Sequence, residues 1–302
     1  RTLQPIIILL ILTAFIFHIT ISSSLALSMA STIDDNIFLP TRRRLSYEAC
    51  NIAANGVFVK TSNCSVTATV VVSGKLNITG VIQDGSERKP AIDGGWDLTF
   101  NGDSVSSGVR LFLVNSADDE LIITNMILIH GAGGHGNGSP TAGGAIRVHA
   151  GTILISDSVI THCTGFVGGA FYIPGGGDIT ILNSVISNNI AGVNGGAFFV
   201  EGTNTKLKID NSIITGNVAC QYQLGYSGGA FWVNTGAAVT ISHSTISENY
   251  ASRAGGLEIR GGEVKIVRTT IKDNDSPFQQ SGNGFRAKAS TTVYLVAVTM
   301  SD

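Results

Sequence analysis

From about residue 121 onward, short apolar runs alternate with small polar groups on a repeating plan. The segments LIITNMILIHG, ILISDSVITHC, ITILNSVISNN, LKIDNSIITGN, VTISHSTISEN and VKIVRTTIKDN each carry an alternating apolar stretch, a polar pair, a second apolar group and a closing residue. A period of two puts Ile, Val and Leu on one face of a short strand, and no unit carries the 3.6-residue stripe of an amphipathic helix. The closing positions are Asn189, Asn217, Asn249 and Asn274, with Cys163 and Gly131 in the two earlier copies.

A second mark is interleaved with the first. Gly143-Gly144-Ala145, Gly168-Gly169-Ala170, Gly195-Gly196-Ala197, Gly228-Gly229-Ala230 and Gly255-Gly256-Leu257 recur at spacings of 25, 27, 33 and 27 residues, with a degenerate copy at Asn283-Gly284-Phe285. A unit of about 27 residues made only of strands and turns cannot bury its apolar face alone. Stacking units at the ~4.8 Å inter-strand spacing closes each backbone hydrogen bond onto the next rung. The expected fold is therefore all-β, a single-stranded parallel β-helix. Like residues then form ladders: aliphatic stacks inside, side-chain amides bonded rung to rung at the asparagines, and glycines where the backbone turns or approaches closely. The longer spacing of 33 places residues 220–226 in a protruding loop.

The ends read differently. The apolar run Pro5–Ile21 without acid or base, followed by small residues near Ala26 and Ala30, reads as a signal peptide over 1–30, or as an uncleaved anchor. Residues 31–48, with Arg42-Arg43-Arg44, read as a linker or propeptide. Residues 49–120 fit the repeat less well and read as an N-terminal cap with early rungs, followed by the coil over 121–302. The first residue, Arg1, suggests an incomplete amino end. VYLVAVTMSD stops where the next ladder asparagine belongs, which reads as a coil truncated at its carboxyl end.

Composition narrows the function. Of 302 residues only 13% are charged, 37 are glycine and 6 proline, which supports a large core and excludes collagen and simple disorder. A formal charge of −2 lacks the basic excess of a nucleic-acid or anionic-membrane binder. No nucleic acid is expected as a partner, and a membrane only through the N-terminal anchor or a missing C-terminal region.

The paired signatures Gly-Gly-Ala-Phe/Ile and Ile-x-x-Asn over about 121–302 resemble the repeats of chlamydial polymorphic outer membrane proteins. They also resemble the wider pectate-lyase-like superfamily of right-handed β-helices. That resemblance implies a right-handed coil, secretion to the cell exterior or surface, and adhesion.

Candidate chemistry is sparse, and no catalytic residue, metal or cofactor is assigned. Glu258 and Arg260, two apart on one strand, read as a surface ion pair. Asp118-Asp119 with Gly134-His135-Gly136 resembles the acids and histidine of polygalacturonase-type hydrolases, but the acids sit in a turn and the histidine in a glycine-rich loop. His130 and His162, aligned repeat positions, read as a stacked pair. Cys50 and Cys64 flank an expected hairpin in the cap and are the expected disulfide. Cys163 and Cys220, two rungs or ~10 Å apart, exceed the ~7 Å reach of a bridge. Among the sequons, Asn63 and Asn77 are the expected glycosylation acceptors, since Asn274 is a ladder position and Pro140 and Pro277 follow two of the sites.

Phe171-Tyr172, Phe198-Phe199 and Phe231-Trp232 hold equivalent places in successive units. One member of each pair faces inward, leaving Tyr172, Phe199 and Trp232 as an outer stripe for a sugar or a partner. The expected function is that of a non-catalytic secreted or cell-surface module for adhesion, binding of extracellular glycans or cell-surface proteins, or structure. The alternative is a polysaccharide lyase or hydrolase with a degenerate site.

Overall fold

The computed structural model describes residues 48–66, 68–82, 89–93, 109–133, 142–219, 227–277, 282–288 and 291–301. The segment 1–47, Gly134-His135-Gly136, the Asn137 sequon, Cys220 and the surplus 221–226 lie outside them. Among the described residues there is no helix, and the chain forms a parallel β-solenoid of about 7 turns.

Each full turn crosses three sheets. The long-strand sheet includes Glu120–Thr124, Thr152–Ser156, Gly177–Leu182, Thr205–Asp210, Ala238–Ser242, Glu263–Val267 and Thr292–Val296. The chain then bends into a short-strand sheet that includes Val159–Thr161, Val185–Ser187, Ile213–Thr215 and Thr245–Ser247. It returns through an aromatic sheet containing Phe112–Val114, Ile146–Val148, Phe171–Ile173, Phe198–Val200, Phe231–Val233, Leu257–Ile259 and Phe285–Ala287. Between the second and third sheets, two-residue strands such as Ile190–Ala191 and Val218–Ala219 add a narrow fourth ladder.

Register follows the hydrophobic alternation because a one-residue slip would turn every aliphatic side chain outward. Ile153 pairs with Ile179, which pairs with Leu207, then Val239, then Val264, and each is no more than 1% exposed. Ile160, Ile186, Ile214 and Ile246 form the facing stack.

Both bends bordering the short-strand sheet use one device: a residue in the left-handed region followed by a residue whose side chain can bond to the neighbouring rung. At the first bend Asp157, Asn183, Asn211 and His243 have φ of 50°, 49°, 47° and 49°. Asp and Asn adopt this conformation at least cost among non-glycine residues. The next residues, Ser158, Ser184, Ser212 and Ser244, are buried. Each of the Ser158, Ser184 and Ser212 amides donates to the hydroxyl of the next serine at 3.1 Å. Each serine hydroxyl in turn donates to the carbonyl two residues back, as Ser184 Oγ does to Leu182 O at 2.7 Å. The polar pair of the repeat is thus a turn residue plus a ladder residue.

The second bend puts the asparagines in that role. Asn189 Nδ2 donates to Asn217 Oδ1, Asn217 Nδ2 to Asn249 Oδ1 and Asn249 Nδ2 to Asn274 Oδ1, each at 2.9 Å. The same oxygens accept the backbone N–H of the preceding rung's ladder residue, beginning with Cys163 N to Asn189 Oδ1 at 3.0 Å. Cys163 occupies the ladder position as a buried free thiol, its pKa pushed up to about 12 by burial.

The structure corrects several expectations. Cys50 and Cys64 are disulfide-bonded, with Cα atoms 5.0 Å apart. The chain between them is no hairpin: Gly56–Lys60 pairs parallel with Lys75–Gly80, and Glu48–Ala49 parallel with Cys64–Ser65. The bond therefore closes one solenoid coil, and strands of the region read as a cap with early rungs pair into the stacked sheets.

The glycine register also shifts by one residue in one place. Phe231 pairs with Leu257, so Gly228, Gly229 and Ala230 align with Ala254, Gly255 and Gly256. Ala254 then carries the positive φ, 48°, that Gly195 and Gly228 carry at 67° and 72°. The second glycine of each pair has a different reason to lack a side chain: a Cβ on Gly196 would lie 2.0 Å from the carbonyl oxygen of Gly229 on the next rung.

Finally, His130 and His162 meet edge to face, at 6.0 Å and 69°, rather than stacked. His130 Nδ1 instead lies 3.2 Å from Asp93 Oδ1, and His162 Nδ1 lies 2.8 Å from Thr161 Oγ1.

Candidate functional site

The aromatic pairs split between the two faces of their sheet. Phe171, Phe198 and Phe231 point inward, fully buried, and stack at 4.8 and 4.7 Å with interplanar angles of 6° and 4°. The residues beside them form an outward row in strict register: Arg147, Tyr172, Phe199, Trp232, Glu258 and Arg286. Within the row Arg147 lies 5.3 Å from the Tyr172 ring centroid, Tyr172 lies 5.4 Å from Phe199, and Phe199 stacks on Trp232 at 4.2 Å and 16°. Cation–π and offset ring contacts at these distances are attractive. The expected open stripe exists only in part, because Phe199 and Trp232 are each 8% exposed and only Tyr172 is half-buried.

Charge is concentrated along the same row. Glu258, expected on the surface, is 0% exposed. Arg260 Nε approaches its Oε1 at 3.0 Å, and Arg286 Nη1 bonds both oxygens at 2.8 and 3.1 Å. A buried carboxylate persists when hydrogen-bonded counter-charges offset its lost hydration.

At the other end of the row the balance reverses. Arg110 donates from Nε to Gly143 O and from Nη2 to Ala142 O, both at 2.9 Å, which ties it to the turn beside Tyr172. Burial and the neighbouring Arg147 push the Arg110 guanidinium down to about 10. Burial, Arg147 and Arg110 together lower the pKa of exposed His149. Burial raises that of Tyr172, reinforced by Glu201 and opposed by Arg147. Among the described residues, two buried donors in the row have no hydrogen-bond partner, Arg147 Nε and Trp232 Nε1.

Asp119 and Asp210 are engaged in holding the coil. Asp119 accepts Gly74 N and Ser116 N, each at 2.9 Å, and Asn115 N at 3.3 Å. It is 6% exposed, and although burial alone would raise its pKa, those backbone donors bring it below the usual carboxylate value. Neighbouring Asp118 points to solvent in the same turn. Asp210 accepts Ser242 Oγ at 2.6 Å and lies 2.8 Å from His243 Nδ1.

The sequons divide by geometry. Asn63 is exposed, with Oδ1 accepting Ala91 N at 3.0 Å, while Asn77 is half-buried with Oδ1 near Thr79 Oγ1 at 3.4 Å. Asn274 is 4% exposed, and its Nδ2 donates to Ile246 O and Lys272 O at 2.9 Å each, so a glycan there would break the ladder.

Sequence reasoning placed the aromatic row but missed that Arg110 meets Arg147 and His149: those two are neighbours on one segment, and the coil brings Arg110 to them from the preceding rung. It also missed the serine ladder, whose signal was the small hydroxyl residue recurring after each turn residue. In comparisons with models of known families, with curated proteins and with solved structures, nothing matches the chain.

Proposed function

We propose that this chain is a secreted or cell-surface β-solenoid that works by presenting a surface, as an adhesion, glycan-binding or structural module, without catalysis of its own. The observation that supports this reading is the in-register outer row from Arg147 to Arg286, which combines π faces with charge on a scaffold held by rung-to-rung bonds. Rigid elements of this kind display a binding surface at little ordering cost. The repeats are of the pectate-lyase-like kind in this reading, similar in pattern to those of the chlamydial outer membrane proteins. Residues 1–30 direct export, and Asn63 is the favoured glycan acceptor because its amide nitrogen can be substituted without losing the Ala91 bond.

The test is a glycan array probed with the folded chain and with Tyr172→Ala, the most accessible aromatic of the row. Loss of one stacking face, worth ~1 kcal/mol, weakens binding to the recognised glycans about 5-fold. Absence of any glycan binding, or equal binding by both proteins, would remove the glycan-binding reading. Retention of the chain, expressed with residues 1–30 intact, inside the producing cells would remove the extracellular one.

A further inference from the structure

We propose that the outer face of the short-strand sheet, centred on Val159, Val185 and Ile213, binds ice. The proposal goes beyond the adhesion reading and uses a different sheet from the aromatic row, so either can fail alone.

The face is built by alternation. In each short strand the middle residue points into the core and its two neighbours point out. The first outward positions run Ile127, Val159, Val185, Ile213, Thr245 and Thr270 in unbroken register. All six are β-branched, so a γ-methyl recurs at every rung on a side chain that is stiff at χ1. Ile213 is 46% exposed, and the other five are half-buried between their neighbours.

Hydrogen-bonding groups flank this methyl row on both sides. Toward the first bend, Asn211 Nδ2 donates to Asn183 Oδ1 at 2.9 Å and Asn183 Nδ2 to Asp157 Oδ1 at 3.4 Å, and all three residues are exposed. On the other side, Ser187 Oγ donates to Thr161 Oγ1, and the Thr215 and Ser247 hydroxyls bond each other, both at 3.2 Å. Thr161 and Ser247 are buried, so the half-buried Ser187 and Thr215 present the hydroxyls to water. Each hydroxyl or amide oxygen tied along the axis keeps a further lone pair for a water molecule.

Charge and area select the occupant. None of the ten outward strand positions from Ile127 to Ser247 is charged. The long-strand sheet, by contrast, exposes Asp178, Lys206, Lys208, Glu263 and Lys265. A neutral array suits a neutral surface and gives a charged polymer nothing to hold. Five rungs at ~4.8 Å by three residues at ~3.3 Å cover about 240 Å², far below the ~800 Å² per partner of a stable protein interface, which argues against a second copy. Ice is neutral, planar and periodic. Water oxygens on the faces of hexagonal ice repeat at nearly the rung interval, so methyl groups at that interval fit successive hollows of the lattice. The flanking hydroxyls and amides then take places in its hydrogen-bond network. A rigid face binds with little ordering cost. Adsorbed molecules force the growing ice front to curve between them, which sets freezing below melting.

The experiment grows single ice crystals in nanolitre droplets of the intact chain and records crystal shape and the gap between melting and freezing temperatures. The native chain is expected to facet the crystals and open a gap. Ile213→Lys, which puts a hydrated charge on the most exposed methyl position, is expected to lose both. Ile213→Thr, which keeps the branch and the γ-methyl, is expected to retain them. Ala238→Lys, the same added charge on an exposed position of the long-strand sheet, is expected to leave them unchanged. Thermal unfolding of each variant separates loss of the face from loss of the fold. Uptake of the amine-labelled native chain into a growing ice hemisphere is expected as well, a readout that depends on no variant. Round crystals without a gap, exclusion of the native chain from ice, faceting that survives Ile213→Lys, or equal loss in Ala238→Lys would overturn the proposal. So would self-association of the native chain in sedimentation that Ile213→Lys abolishes, since the face would then belong to a second copy.

Discussion

At the scale of single residues, the bends of this fold depend on polar side chains that have no access to water. Asn217 is the fullest case: Oδ1 accepts from both the backbone and side chain of Asn189, and Nδ2 donates to Asn249 Oδ1, Ile186 O and Thr215 O. Truncation leaves several buried groups unpaired at once, so Asn217→Ala is expected to cost about 3 kcal/mol, read from the denaturant midpoint. Asn211→Ala removes an exposed amide contact at 2.9 Å and places alanine at a φ of 47°, and is expected to cost about 1 kcal/mol, well below Asn217→Ala. Asp119 carries part of the acid sensitivity, with Asp210, whose carboxyl the Ser242 and His243 hydrogen bonds also depress. The Asp119 carboxyl is depressed in the folded chain, so its contribution is complete above the unfolded carboxyl's pKa and is lost as pH falls through the folded one. Unfolding free energy followed from about pH 6 to pH 2 therefore falls more steeply in the native chain than in Asp119→Asn. Matching acid limbs would contradict that assignment.

At the scale of elements, the repeat made the strands legible and left the bends partly hidden. Period-two alternation announces the aliphatic ladders because one face of each strand must be dry, and the recurring asparagine announces its ladder because an amide can both donate and accept along the axis. The glycine pair was read one position late at residues 255–256, since Ala254 stands where the other rungs carry glycine and two alignments of Gly-Gly are then possible. That misfit predicts a gain: Ala254→Gly relieves a positive φ of 48° and is expected to stabilise the chain by up to about 1 kcal/mol, net of backbone entropy, in thermal unfolding. Destabilisation would show that Ala254 packing outweighs its backbone strain. The serine ladder was passed over because Ser after Asn or Asp looks like any polar turn. The approach of Arg110 to Arg147 and His149 has no local signature, because it depends on which coil lies beside which. The Cys50–Cys64 coil was mistaken for a hairpin for a related reason: fourteen residues can return antiparallel or travel once round the solenoid, and spacing alone does not choose.

At the scale of the whole molecule, every feature depends on parallel rungs stacked in register, including the outer row on which the binding readings rest. Asp178, Lys206 and Ala238 are exposed, solvent-facing and successive in the long-strand sheet, with Asp178 paired to Lys206 and Lys206 to Ala238. The most direct test attaches nitroxide spin labels at these positions, singly and in adjacent pairs, in a chain without other reactive thiols. Adjacent pairs separated by one ~4.8 Å rung are predicted to show strong spin–spin broadening that the single labels lack. Sharp three-line spectra from the pairs, equal to the sum of the singles, would contradict the stacked parallel coil.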